Sequence, residues 1–257
     1  QGRVRAVGHR GDRVVHRAVY RALYWHFHPQ FIHDSYSCRV AKGTHRALNR
    51  FRTLAYQASH NHTRTLWILK CDIKKFFASI NHSILLSILE RQIFDRDIIG
   101  LLGKIISSFH SGIQGVGLPL GNLTSQLFAN IYLNDLDQFI KHQLRLKHYI
   151  RYADDFVILN YNRDYLLQIL PIINSFLLDK LKLTLHPSKI FLKTLASGVD
   201  FLGWGHFPDH RVLRTATKRR MFKKLQIPDN KPGVIQAYLG LLKYGNTHKL
   251  RERLGLI

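Results

Sequence analysis

Two adjacent aspartates, Asp154 and Asp155, interrupt a strand-like apolar run that reads RYADDFVIL over residues 151–159. A third acid, Asp72, stands near the end of a second β-rich run, TLWILKCDI, at residues 65–73. Neighbouring carboxylates in such settings repel each other and are costly to bury without a positive partner. These three acids are therefore the first candidates for a cation site.

Three carboxylates brought together by a hairpin tip and a strand end could hold two divalent cations and support phosphoryl transfer. One ion would activate a 3′-hydroxyl, and the other would hold a triphosphate and stabilise the leaving pyrophosphate. Hard oxygen ligands favour two Mg²⁺ ions, for which Mn²⁺ can substitute. Taken alone, an Asp-Asp pair is weak evidence, because most such pairs lie in solvated turns.

The segments around these acids mix helices and strands without a regular βαβ rhythm. The run KHYIRYADDFVILNYN predicts a hairpin with the two aspartates at its tip. A helix is expected over 163–180, and Asn81 or Ser83 is expected to cap the helix that follows KKFFAS. Short strands are expected around 183–185, 190–194 and 199–203. The pattern predicts an α+β fold, an antiparallel sheet backed by helices.

Charge is the strongest compositional signal. The 257 residues contain 39 Lys and Arg against 16 Asp and Glu, a formal net charge of +23. Such an excess favours a nucleic acid partner, because neutralised phosphates release counterions. General solubility and an anionic membrane surface are alternatives, although no amphipathic basic helix dominates. No apolar run approaches the roughly 20 residues of a membrane span, so no membrane partner is expected.

The cysteines and the first residue add two expectations. Cys38 and Cys71 are the only cysteines and have no CxxC spacing, so neither a zinc site nor a disulfide framework is indicated. A reducing, cytoplasmic setting follows as the default. The chain opens at Gln1 without a methionine, so a fragment is expected.

Five blocks occur in the order of the palm motifs of reverse transcriptases: CDIKKFF, LPLGNLTSQLFANIYLND, YADD, LHPSKI and FLGW. Three further stretches, SYSCRVAKGTH, LGNLTSQ and YLGLLKYGNTHKL, resemble the reverse transcriptases of diversity-generating retroelements. The resemblance implies a right-hand polymerase fold with helical fingers, a palm sheet and a short helical thumb. It also implies RNA-directed DNA polymerase activity.

The same resemblance implies a division of the chain into subdomains. Residues 1–65 would form N-terminally truncated fingers, residues 66–82 and 118–208 the palm, 83–117 a helical insertion between fingers and palm, and 209–257 a basic thumb. The segment contains no RNase H, endonuclease or maturase-type extension that the resemblance would identify.

Residue by residue, the resemblance gives Asp72, Asp154 and Asp155 the catalytic and metal-binding role, with the carbonyl of Ile73 as an extra ligand. Phe77 matches the steric gate that excludes a ribose 2′-hydroxyl, because an aromatic ring against the sugar leaves no room for that oxygen. Ordinary core packing is the alternative for the ring of Phe77. For Phe76, the preceding residue, core packing is the preferred interpretation.

Other matches concern the nucleotide and the primer. Gly121 matches a backbone position close to the incoming nucleotide, and Leu120 stands where many reverse transcriptases have glutamine. Lys189 matches a lysine near the triphosphate, with a solvated surface lysine as the alternative. Arg3 or Arg5 would match the phosphate-clamping arginine of the fingers. The residues that resemble the primer grip are Phe201, Leu202 and Gly203.

The partners implied are an RNA template, a DNA or RNA primer and dNTPs, with a template-repeat RNA and a small basic accessory protein in a prokaryotic cell. An apolar Leu120 cannot hydrogen-bond to the nascent pair, so low fidelity at template adenines is expected. Alternatives are a reverse transcriptase of a bacterial defence system, a group II intron relative, and a non-catalytic RNA-binding scaffold. Clustered acids within a basic chain argue against the scaffold.

Overall fold

The fold was analysed in a computed structural model that describes residues 10–225 and 232–252. Residues 1–9, 226–231 and 253–257 lie outside the described residues. Arg3, Arg5 and parts of the expected fingers and thumb fall within these segments. The helices are α1 (Arg10–Phe27), α2 (Thr44–Ala58), α3 (Phe76–Ser79), α4 (His82–Glu90), α5 (Arg96–Ser107), α6 (Leu123–Gln138), α7 (Arg163–Leu181), α8 (Thr215–Leu225), α9 (Pro232–Leu242) and α10 (His248–Glu252).

The strands form two sheets. Their bounds are β1 (Trp67–Asp72), β2 (Tyr149–Tyr152), β3 (Asp155–Asn160), β4 (Phe191–Thr194), β5 (Val199–Phe201), β6 (Trp204–His206) and β7 (Arg211–Leu213). The first sheet has the strand order β2–β3–β1–β4, and the second has the order β5–β6–β7. The strand pairs β2–β3, β5–β6 and β6–β7 are antiparallel. The mixture of helices and antiparallel strands confirms the α+β prediction.

The chain divides into two compact units, and the first comprises residues 1–43, 69–158 and 163–191. Its central helix is α6, whose residues are buried on most sides of the helix. Leu127, Phe128, Ile131 and Tyr132 on α6 are each at most 1% exposed. Helices α1, α4 and α7 pack around α6. This core supports the hairpin that carries the paired aspartates.

The second unit comprises residues 44–68, 159–162 and 192–257. Helix α2 buries one face, and Phe51 on that face packs 5.4 Å from the ring of Phe201 and 4.5 Å from the ring of His206. The three-stranded sheet therefore shares its core with α2. A two-residue turn, Leu202–Gly203, joins β5 to β6, and both residues have positive φ, 50° and 86°. Such a turn matches the twist of an antiparallel hairpin.

Several local predictions are confirmed. The hairpin forms as expected, with Tyr152 paired to Asp155 at its tip. Helix α7 spans Arg163–Leu181, and the side chain of Asn81 caps α4 by accepting a hydrogen bond from Ile84 N at 3.1 Å. None of the helices in residues 10–225 and 232–252 is long and apolar enough to cross a bilayer.

The expected strand at 183–185 is wrong. Only an isolated antiparallel bridge joins Leu185 to Ile73, and a short 3₁₀ turn begins at Pro187. Proline has no N–H to donate, so it cannot extend a ladder of hydrogen bonds, and the pairing ends after one residue.

Candidate functional site

The tip of the β2–β3 hairpin and the end of β1 lie side by side in the first unit. Asp154 occupies the turn after Ala153, whose φ is 54°. The N–H of Ile73, directly after β1, donates to the carbonyl of Asp154 at 3.1 Å. The carbonyl of Asp72 accepts a hydrogen bond from His186 N at 2.8 Å. These main-chain bonds bring the three sequence-predicted aspartates and Ile73 to one place.

Two lysines neutralise part of the negative charge. Lys70 Nζ lies 3.0 Å from Asp155 Oδ2, and both side chains are largely buried, at 16% and 20% exposure. Lys189 Nζ lies 2.8 Å from Asp72 Oδ1, with the lysine half exposed. Two of the three acids therefore each have a cationic partner within 3.0 Å.

Two of the three carboxyl groups nevertheless have raised pKa values. Burial raises the pKa of Asp155 to about 6, an effect that Lys70 opposes and that the charges of Asp72 and Asp154 reinforce. Burial also raises the pKa of Asp154, with a further contribution from Asp72. Asp155 Oδ1 is buried without a hydrogen-bond partner. Raised carboxylate pKa values and an unpartnered buried oxygen fit a site that binds a cation.

Within residues 10–225 and 232–252, no group of three His, Cys, Asp or Glu side chains is arranged closely enough to hold a metal unaided. Mg²⁺ rarely uses such an all-protein cage and is commonly bound by one or two carboxylates together with water and substrate phosphates. The oxygen-only donor set of Asp72, Asp154 and the Ile73 carbonyl, beside the unpartnered Asp155 Oδ1, fits that mode of binding.

Phe77 lies on the one-turn helix α3, which starts after Lys75, a residue with φ 47° in the left-handed region. Its neighbour Phe76 is 2% exposed and belongs to the core, whereas Phe77 is only partly buried. The two rings meet edge to face, with centroids 5.4 Å apart. The partly open ring of Phe77 is therefore the one available to contact a sugar.

The segment before α6 leaves space for a ligand. Gly121 has φ +100°, and a Cβ built there would have no heavy atom within 4 Å. Leu120 beside it is partly buried. At the start of α6, Thr124 Oγ1 lies 2.7 Å from His16 Nδ1 of α1, which fixes the helix end relative to the N-terminal helix.

The residues predicted for a primer grip belong to the second unit. Phe201 is buried, and Leu202 and Gly203 form the turn between β5 and β6. Their proposed role stays a prediction. Among the predicted site residues that the structure describes, Asp72, Ile73, Asp154, Asp155 and Lys189 are joined to one another by hydrogen bonds, ion pairs or electrostatic effects.

Sequence reasoning missed Lys70 and Arg151. Lys70 precedes Asp72 by two residues on β1, so the two side chains point to the same face of the sheet, and this alternation was a readable signal. Arg151 is 1% exposed and donates to Asp137 Oδ1 at 2.8 Å and Oδ2 at 2.6 Å. An arginine inside an apolar strand was also a signal, but its partner lies on α6 and could not be read from the strand.

The family described as reverse transcriptase (RNA-dependent DNA polymerase) matches residues 2–206. Protein YkfC of Escherichia coli (strain K12) is 26% identical over 260 residues, which cover 86% of this chain and 65% of that protein. The group II intron-encoded protein LtrA of Lactococcus lactis subsp. cremoris is 29% identical over 143 residues, which cover 53% of this chain and 22% of LtrA. The chain thus spans less than two thirds of either relative.

Among solved structures, telomerase from Candida albicans, in complex with a TWJ fragment of telomeric RNA, aligns with a TM-score of 0.59 and 12% identity. That alignment covers 89% of this chain and 46% of the telomerase chain. Telomerase from Candida tropicalis, also in complex with such a fragment, aligns with a TM-score of 0.56 and 13% identity. At these identities the likeness concerns the fold alone, and it supports the expected polymerase-like α+β architecture.

Proposed function

Because this chain belongs to the reverse transcriptase (RNA-dependent DNA polymerase) family, we propose that it synthesises DNA on an RNA template by adding dNTPs to a primer 3′-hydroxyl. The observation that carries the proposal is the meeting of Asp72 and the Asp154–Asp155 hairpin tip, where burial and mutual repulsion raise carboxylate pKa values. A protein that only binds RNA gains nothing from acids held together in this way.

Asp72, Asp154, Asp155 and the Ile73 carbonyl would hold two Mg²⁺ ions. When bound, Mg²⁺ supplies Lewis-acid activation of the 3′-hydroxyl and neutralises charge on the triphosphate. The chain itself holds these oxygens at fixed positions through the hydrogen bond from Ile73 N to Asp154 O. Such preorganisation is the larger part of catalysis in phosphoryl transfer.

Lys189 would place a proton beside the leaving group. Its ammonium is held at 2.8 Å from Asp72 Oδ1 while half of the side chain stays exposed, so it can reach a bound triphosphate without leaving the site. We propose that Nζ donates its proton to the oxygen of the departing pyrophosphate. Phe77 and Gly121 would contact the incoming nucleotide, and Leu120 would lie beside the nascent pair.

The net charge of +23 supports a nucleic acid duplex as the substrate. Helix α8, with the sequence TATKRRMFKKL, presents five basic residues and no acid to the phosphate backbone. The complexes of telomerase with a fragment of telomeric RNA, at 12% and 13% identity, add the precedent of RNA bound by a protein of this fold. The proposed partners are an RNA template and a DNA or RNA primer, and Phe201, Leu202 and Gly203 would support its 3′ end.

At the finer level we propose the diversity-generating retroelement type. The stretches SYSCRVAKGTH and YLGLLKYGNTHKL, and Leu120 in place of glutamine, support it. A template-repeat RNA and a small basic accessory protein would then be partners. A group II intron relative is the second candidate, supported by the 29% identity to LtrA. A prokaryotic cytoplasmic setting is part of the proposal, and two of the relatives, YkfC and LtrA, are proteins of bacteria.

The deciding experiment is primed extension on an RNA template with dNTPs and Mg²⁺, followed by sequencing of the cDNA, beside the Asp154→Asn/Asp155→Asn variant. Extension that the double variant loses supports the polymerase. Errors concentrated at template adenines support the retroelement type, and evenly spread errors favour a defence-system reverse transcriptase or an intron relative. Absence of extension, even with the cognate RNA and accessory protein supplied, would leave the scaffold as the better description.

A further inference from the structure

The one-turn helix α3, which carries Phe77, is held by residues 111–118, which we name the brace loop. Three donors of the brace loop bond to three carbonyls at this helix: Leu118 N to Phe77 O at 2.7 Å, Gly117 N to Ile80 O at 2.8 Å and Ser111 Oγ to Ala78 O at 2.7 Å. A helix of four residues leaves its last carbonyls without partners and is not stable alone. The brace loop therefore determines how α3 is oriented.

The brace loop is itself tightly closed. Gly117 has φ +109°, and a Cβ built there would lie 2.7 Å from Ser111 Cβ and 2.8 Å from its Oγ. Ser111 N donates to Val116 O at 2.8 Å, and His82 Nε2 lies 2.7 Å from the carbonyl of Gly117 in a buried contact. A side chain at position 117 would therefore collide with Ser111 and displace the loop, and loss of the Ser111 hydroxyl would remove one of the bonds that hold the loop to α3.

We propose that Ser111 and Gly117 are positioning residues that act through Phe77 to set the preference for dNTPs over rNTPs. This inference rests on the proposed function and deepens it. A steric gate works by distance, because the ring must stand where a 2′-hydroxyl would be. A shift of a fraction of an ångström in α3 opens that space, whereas the catalytic aspartates lie on other elements and keep their places.

The test is single-nucleotide incorporation with Ser111→Ala and Gly117→Ala, measuring kcat/KM for a dNTP and for the matching rNTP. We expect the dNTP:rNTP ratio to fall roughly tenfold, the low end of what a few atoms in a pocket discriminate. Two variants serve as matched controls with an unchanged ratio. Ser108→Ala removes a hydroxyl that bonds Ile105 O at 2.7 Å, and Gly43→Ala strains a glycine of φ +107° that has open space around it.

A double-mutant cycle with Phe77→Ala separates positioning from general damage. Once the ring is gone, Ser111→Ala should change the ratio no further. If Ser111→Ala and Gly117→Ala lower kcat/KM for the dNTP and for the rNTP by the same factor, the inference is overturned. The proposed polymerase function is then unaffected. If Gly117→Ala does not fold, Ser111→Ala decides alone. Absence of dNTP incorporation by the unaltered chain would instead refute the proposed function, and the inference with it.

Discussion

Arg151 Nη2 lies 2.6 Å from Asp137 Oδ2 in an ion pair whose side chains are 1% and 0% exposed. The guanidinium also donates to the carbonyl of Ala153 at 3.0 Å and to Ser35 Oγ at 3.2 Å, and Tyr149 OH donates to Asp137 Oδ1 at 2.7 Å. The buried pair thus joins α6 and the segment before α2 to the turn that presents Asp154. The hairpin that carries Asp154 and Asp155 is therefore held from inside the core.

The first prediction concerns the stability of this pair. Replacing Arg151 by Met should lower the free energy of unfolding by about 3–5 kcal/mol, because Asp137 is left as an uncompensated buried charge. Urea denaturation followed by circular dichroism measures it. Arg91→Ala is the matched control, since its ion pair with Asp135 at 2.7 Å is 54% and 31% exposed and should contribute at most ~1 kcal/mol. Equal losses in the two variants would contradict the assignment.

The second prediction concerns pH and follows from the pKa of Asp155, raised from 3.8 to about 6. Between those values the folded chain keeps a proton that the unfolded chain has released. The free energy of unfolding should therefore fall as pH rises through this window, by at most ~3 kcal/mol, and should not change further above it. The measurement is urea unfolding without metal from pH 3.5 to 7.5, with Asp155→Asn as the reference.

Lys70 gives the control for this pH dependence. It lowers the pKa of Asp155, so Lys70→Met should raise that pKa further and extend the window of falling stability to higher pH. Lys180→Met, on the exposed side of α7, should leave the window where it is. A wild-type curve that runs parallel to that of Asp155→Asn at every pH would exclude a raised pKa at this carboxyl.

How much of this could be read from the sequence depends on the range of the interactions. The hairpin, the cap at Asn81 and helix α7 follow from patterns within a dozen or so residues, and each formed as expected. The three aspartates stood out because acids are rare in apolar strands. The sequence also predicted that the three aspartates lie close together, because the end of one strand and the tip of a hairpin can meet at the same edge of a sheet.

The remainder depends on contacts between distant segments. The partner of Arg151 lies on α6, and the brace loop bonds to α3 across about 35 residues of chain, so neither relationship leaves a local pattern. The prediction of a strand at 183–185 was wrong because it relied on a local pattern alone. Alternating leucines there suggested a ladder, but the chain turns at Pro187 after a single bridge to Ile73.

The third prediction concerns Lys189 as a proton donor. Lys189→Gln should lower kcat for nucleotide incorporation by about 100-fold or more with little change in KM, because general acid catalysis contributes that much to the chemical step. The pH–rate profile should also lose its basic limb. Lys180→Gln on α7 serves as the control and should keep both kcat and the profile. An unaltered profile in Lys189→Gln would mean that its ion pair with Asp72 is structural only.

The last prediction concerns fidelity at Leu120, a partly buried apolar side chain beside Gly121. Leu120→Gln should reduce misincorporation, chiefly opposite template adenines, because an amide can hydrogen-bond to the nascent pair where a leucine cannot. Sequencing of cDNA from a primed RNA template gives the error rate at each template base. Leu123→Gln, at an exposed leucine in the first turn of α6, is the matched control and should leave the errors unchanged. An error spectrum in Leu120→Gln identical to that of the unaltered chain would refute a role for this side chain in base selection.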